Sequence, residues 1–149
     1  MRLRWAALVM VLALSALVPA GLEAQGAGSR RNNPLGQNYP NPFNPETTIP
    51  FTVGDSATCA ANPNQKFRVS LRIYNVLAQL VAVPILQAGT STAAGTSAPL
   101  NNVELPCGSY TAYWDGKYLN TSREVASGIY VYQLVINGRV YTRKMLVAK

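Results

Sequence analysis

Between Lys66 and Val76 apolar and polar residues alternate strictly. Phe67, Val69, Leu71 and Ile73 fall on one side, and Arg68, Ser70, Arg72 and Tyr74 on the other. A period of two sustained over eight residues predicts a half-buried antiparallel strand. Asn75 to Ala78 then turns the chain, and Gln79 to Leu86 is expected to return it as one strand. Upstream, Thr47 to Val53 reads as a first strand, with Pro50 placing it at a sheet edge or a bulge because proline has no N–H to donate. Downstream, Gly108 to Trp114 is a strand ended by an Asp115-Gly116 turn. Gly128 to Ile136 and Arg139 to Val147 are two more, joined by Asn137-Gly138. Asn-Gly between apolar runs predicts a type I′ hairpin, whose two central residues both need positive φ. Helical periodicity is absent after residue 24. The expected fold class is all-β, an immunoglobulin-like antiparallel β-sandwich of about seven strands.

The remaining segments carry no such period. Met1-Arg2-Leu3-Arg4 is followed by an apolar run from Trp5 to Ala20, which has the form of a cleavable signal peptide. The run is short for a bilayer span, and Pro19 and Gly21 interrupt it. Cleavage after Ala20 or after Ala24 is compatible with the small residues there; Ala24 is preferred, giving a signal segment of 1–24. Residues 25–36, rich in Gly, Asn, Ser and Arg, read as a flexible lead-in. From Gln37 the chain holds Pro40, Pro42, Pro45 and Pro50, an ordered but non-helical strap that opens a domain of residues 37–149. Gln87 to Pro99 is a Gly/Ala/Ser/Thr tract expected to form a surface loop.

Composition narrows the chemistry. The chain has 149 residues, 13 Lys+Arg against 6 Asp+Glu, and no histidine. Histidine-based triads, imidazole metal sites and a switch near neutral pH are therefore excluded. Two cysteines are too few for a four-cysteine metal cluster. The six carboxylates are scattered, which leaves Asp115 with Glu124 as a poor glycosidase pair. No catalytic residue, cofactor, metal ligand or small-molecule substrate is expected. The basic excess lacks the density and aromatic interleaving of a nucleic-acid surface, so weak attraction to anionic cell-surface polymer is the more plausible use. Export implies an oxidising compartment: periplasm, outer-membrane surface or extracellular space. There the even pair Cys59 and Cys107 is expected to form a disulfide.

Several stretches, in order, resemble the C-terminal sorting domains of the bacterial type IX secretion system, type A. These are Gln37-Asn38-Tyr39-Pro40-Asn41-Pro42-Phe43-Asn44-Pro45 with Thr47-Thr48-Ile49, and Leu71-Arg72-Ile73-Tyr74-Asn75-Val76-Leu77-Ala78-Gln79-Leu80-Val81. They continue with Leu105-Pro106-Cys107-Gly108-Ser109-Tyr110, Trp114-Asp115-Gly116, Val125-Ala126-Ser127-Gly128-Ile129-Tyr130 and Arg143-Lys144-Met145. A related group is the immunoglobulin-like domain of the flagellar hook-capping protein. The resemblance covers about residues 35–149. It departs at Ala78, where the family usually has glycine, so that turn should avoid positive φ or carry strain. The Gln87–Pro99 insertion and the cysteine pair are further departures.

The resemblance implies a folded address, read by outer-membrane secretion machinery and then attached to the surface. A cell-envelope protein is the alternative partner. Oligomeric state is open. Recognition would fall on Gly108, Tyr110, Gly128, Tyr130, Lys144 and Met145. Each also has a structural reading. The glycines would admit close approach, the tyrosines would fill space and tie loops, and Trp114 would plug the core above an Asp115 turn. Lys144 would be a solvated edge-strand cation.

Overall fold

A computed structural model describes residues 33–87 and 97–149. The signal segment 1–24, most of the lead-in and the centre of the Gln87–Pro99 loop lie outside the described residues. Eight strands and one short helix follow in the order β1 (Thr47–Val53), α1 (Ser56–Ala61), β2 (Lys66–Tyr74), β3 (Leu80–Ala82), β4 (Ile85–Leu86), β5 (Val103–Pro106), β6 (Gly108–Trp114), β7 (Gly128–Ile136) and β8 (Arg139–Val147). All strand pairings are antiparallel. The fold is thus all-β, as the alternation predicts.

Two sheets form. One has the order β1-β6-β4; the other has β3-β2-β7-β8, with β5 also paired to β2. Their apolar faces share one core. Phe51, Ala112 and Trp114 come from the first sheet, and Val69, Leu71, Ile73, Tyr132 and Leu134 from the second. Trp114 and Tyr130 meet edge to face across the layers, with ring centroids 6.0 Å apart.

Four differences from the sequence reading have simple causes. The Gln79–Leu86 stretch is two strands, not one: β3 pairs with β2, whereas β4 pairs with β6 in the other sheet. Pro84, which cannot donate, stands at the changeover. The short α1 was not expected, because six residues are too few to display a helical period. Its one signal is Asp55, which caps it by accepting from the Thr58 N–H at 2.7 Å. β5 was missed beside Asn101-Asn102. The packed region also begins before residue 37: Leu35 is fully buried and bridges to Phe51.

The proline strap closes the structure at both sheet edges. Residues 34–39 run along the outer edge of β1, where Gly36 N–H donates to Pro50 O at 2.8 Å and Tyr39 and Thr48 exchange two backbone bonds. Pro50 is tolerated on this edge strand because only its carbonyl is used there. The strap then crosses to β8, where Phe43 pairs in parallel with Val147. The X-Pro bonds before Pro40, Pro42 and Pro45 are cis.

The Cys59–Cys107 disulfide is formed, with a Cα–Cα distance of 5.9 Å, and ties α1 to the β5–β6 junction. The β7–β8 turn has φ of 48° at Asn137 and 81° at Gly138, as a type I′ hairpin requires. Ala78 has a φ of 59°, so its turn carries the left-handed strain rather than avoiding it.

Candidate functional site

The two Gly-x-Tyr motifs are structurally alike. Tyr110 Oη donates to Pro106 O at 2.8 Å, and Tyr130 Oη to Ala126 O at 3.0 Å. Each phenol therefore closes a loop onto the carbonyl four residues before it. Both rings are 6% exposed; Tyr110 stacks on Phe51 at 5.6 Å, and burial pushes the Tyr130 phenol up from its ordinary pKa. Gly128 starts its strand for a different reason from the close approach expected of it. A Cβ there would meet nothing within 4 Å, but the φ of +150° disfavours any side chain.

Of the six candidate recognition residues, Lys144 alone offers an exposed side chain. Met145, its neighbour on β8, points into the core at 2% exposure and lies opposite Tyr130. Arg139, Arg143 and Lys144 do not form one basic cluster. Arg143 stands on the core side, opposite Tyr132, and Lys144 on the outer side, opposite Val131. The Arg143 guanidinium turns back to donate from Nε to Leu35 O.

The outer edge of β8 is partly occupied by the strap. Phe43 N–H donates to Leu146 O at 3.0 Å, Leu146 N–H to Asn41 Oδ1 at 2.9 Å, and Gln37 Nε2 to Lys144 O at 3.1 Å. Beneath it lies a buried polar cluster that the motif reading did not single out. Tyr132 Oη accepts from Asn38 N–H at 3.0 Å and donates to Gly36 O at 2.8 Å, while Asn38 Nδ2 donates to Thr47 Oγ1 at 3.0 Å. Burial raises the Tyr132 phenol pKa, against the Asn38 N–H and the Arg143 charge, which lower it. The sequence signal for Tyr132 is its place two residues beyond Tyr130, on the same strand face.

No protein-family model, curated protein or solved structure matches the chain.

On the outer face of the larger sheet, Ile129 and Leu146 are a directly opposed cross-strand pair, 53% and 40% exposed. The next row along is Tyr74, Val131 and Lys144. The chain end is held beside this face. Lys149 N–H donates to Ser127 Oγ at 3.1 Å, and its ammonium sits 2.7 Å from Glu124, whose carboxyl that hydrogen bond and charge hold below the usual range.

Asp115 and Glu124 are each paired with a lysine, Asp115 with Lys117 at 3.3 Å and Glu124 with Lys149. Neither has the apolar surroundings that make a carboxyl a general acid. Among the described residues, no group of three or more His, Cys, Asp or Glu could hold a metal ion. The geometry sets the exposed Lys144 beside the apolar Ile129, Val131 and Leu146 on the outer face of the sheet, which suits protein recognition.

Proposed function

We propose that this chain is an exported, non-enzymatic, immunoglobulin-like β-sandwich that resembles a type IX sorting domain. In this reading residues 1–24 are a removable signal peptide. The folded remainder is an address for the outer-membrane secretion apparatus, which translocates it for attachment at the cell surface.

Strand order supports the immunoglobulin-like assignment. With the strap as a first strand beside β1, the sheets run strap-β1-β6-β4 and β3-β2-β7-β8. These correspond to the A-B-E-D and C′-C-F-G arrangements of such domains. The observation that carries the functional reading is the stitching of the strap to the last strand through Asn41, Phe43 and Gln37. The two parts of the resemblance furthest apart in sequence, the Gln37–Pro45 opening and Arg143-Lys144-Met145, lie side by side through these bonds. A machine that reads a folded address can read both at once.

The test is a fusion of residues 25–149, behind a signal peptide, to a reporter in a host that has this secretion system. Reporter at the surface or in the medium is expected; retention in the periplasm counts against the proposal.

A second reading, a free-standing binding module of the cell envelope, is favoured by the exposed Ile129–Leu146 pair. Photo-crosslinking from position 129 in cells separates the two. Adducts with secretion components support the address, and adducts with one resident envelope protein after export support the module.

A further inference from the structure

At one end of the two sheets lies a half-open cleft of about 170 Å³. Its walls come from the β3–β4 changeover (Ala82, Val83, Ile85), from the end of β6 (Tyr113, Trp114) and from the loop Asp115 to Thr121. The loop is fixed from several sides. Leu119 N–H donates to Val81 O at 2.7 Å, Trp114 Nε1 to Lys117 O at 2.9 Å, and Lys117 N–H to Asp115 Oδ1 at 3.1 Å. A fourth tie, Val125 N–H to Gly116 O at 2.8 Å, holds the loop's return. Gly116 is needed for this path. Its φ is +72°, and a Cβ would collide with the Pro45 carbonyl. The walls are thus set before any ligand arrives.

We propose that this cleft binds a neutral pyranose ring, the terminal sugar of a glycan. Three features carry the inference. The volume matches a single six-membered ring, since a cavity of roughly 150 Å³ accepts benzene. The half-open mouth lets the rest of a chain continue into solvent, so the ring bound is a chain end.

The lining also mixes apolar faces with paired donors and acceptors. Tyr118, with Arg123 over its ring at 4.8 Å, is among the aromatic residues lining the cleft. Ile85 and Leu119 add exposed apolar surface at 38% and 41%. The Asp115 carboxylate, the Lys117 ammonium and the Asn120 amide can bind ring hydroxyls, while the Thr121 hydroxyl is spent within its turn on Tyr118 O and Arg123 N–H. Because Asp115 and Lys117 neutralise each other, a charged ligand meets an opposing group of its own sign whichever sign it carries. A polyhydroxylated neutral ligand satisfies both. This inference does not depend on the secretion reading.

The test is a titration of the 15N-labelled chain with the methyl glycosides of mannose, galactose and N-acetylglucosamine, followed by amide shifts. Sialic acid and glucosamine serve as the charged comparisons. At least one neutral glycoside should give saturable shifts at millimolar concentration, centred on residues 113–121. In Asn120→Gly, which keeps the positive φ of 57° but removes the amide, binding should weaken about tenfold. Asp115→Asn should weaken it as well. Overturning results are the absence of saturable shifts with all three glycosides, shifts centred elsewhere, tighter binding of a charged sugar, or unchanged affinity in Asn120→Gly. Far-ultraviolet circular dichroism of each variant excludes unfolding as the cause.

Discussion

Tyr132→Phe removes a single oxygen atom from a fully buried site and tests the strap more directly than any larger change. The hydroxyl accepts from Asn38 N–H at 3.0 Å and donates to Gly36 O at 2.8 Å. Asn38 is itself buried, so after the substitution its N–H has neither water nor protein to bond. Two intramolecular hydrogen bonds contribute about 1 kcal/mol each, and a stranded buried donor costs about 1–3 kcal/mol. Overlap between these terms gives an expected loss of about 2–3 kcal/mol. Tyr130→Phe supplies the comparison. It removes the hydrogen bond to the carbonyl of the exposed Ala126 and the contact with the Tyr118 side chain, strands no buried backbone donor, and should cost about 1 kcal/mol. Urea unfolding of the oxidised protein at neutral pH measures both, with an unchanged slope marking a native-state effect. Hydrogen exchange adds a local reading, in which the Asn38 amide should lose protection in Tyr132→Phe but not in Tyr130→Phe. A Tyr132→Phe loss below about 0.5 kcal/mol, or one smaller than that of Tyr130→Phe, would refute the reasoning.

Reducing the Cys59–Cys107 bond releases a loop spanning a sequence separation of 48. Chain entropy then predicts about 4 kcal/mol lower stability, measured by urea unfolding with and without reductant. Gly116→Ala should be more destabilising than Gly128→Ala. Both positions lie at positive φ, but only the first has a carbonyl where the methyl must go; thermal unfolding of the pair would rank them. The Tyr113 phenol, donating to Glu46, is pushed up to about 12 by that hydrogen bond first and by burial second. Its folded value exceeds the unfolded 10, so any stability it adds is complete below pH 10 and lost as pH rises through 12. Absorbance titration at alkaline pH should lose this late phenol in Glu46→Gln. Glu124 behaves in the opposite sense. Lys149 lowers its pKa, so the support it gives residue 149 is present above the ordinary glutamate value of 4.5 and disappears on acidification; the Lys149 amide signal should sharpen at low pH.

The limits of β1, β6, β7 and β8 were legible because each long strand repeats its period several times between turn residues. Changes of partner were not legible. Val81 and Ile85 carry the same pattern whether their strands share a sheet or divide between two, and only Pro84 marks the break. Leu35 gave no period at all; one apolar residue among Gly, Asn and Arg reads as linker until the edge it covers is known. At the candidate site, the tyrosines were legible as space-filling rings that tie loops, and Tyr110 and Tyr130 do so. Met145 stood out beside Lys144, yet it faces inward. The residues that hold the strap, Asn38, Asn41 and Arg143, act through partners roughly a hundred positions away, which no local pattern records.

That separation bears on timing. The strap's bonds to Tyr132, Arg143 and Leu146 join residues 94, 108 and 105 positions apart. Closing such spans is slow compared with helix or hairpin formation. A chain leaving the ribosome cannot make these bonds until β8 has emerged. The strap therefore stays unlatched while β7 and β8 are being made, and locks only once β8 is free to pair.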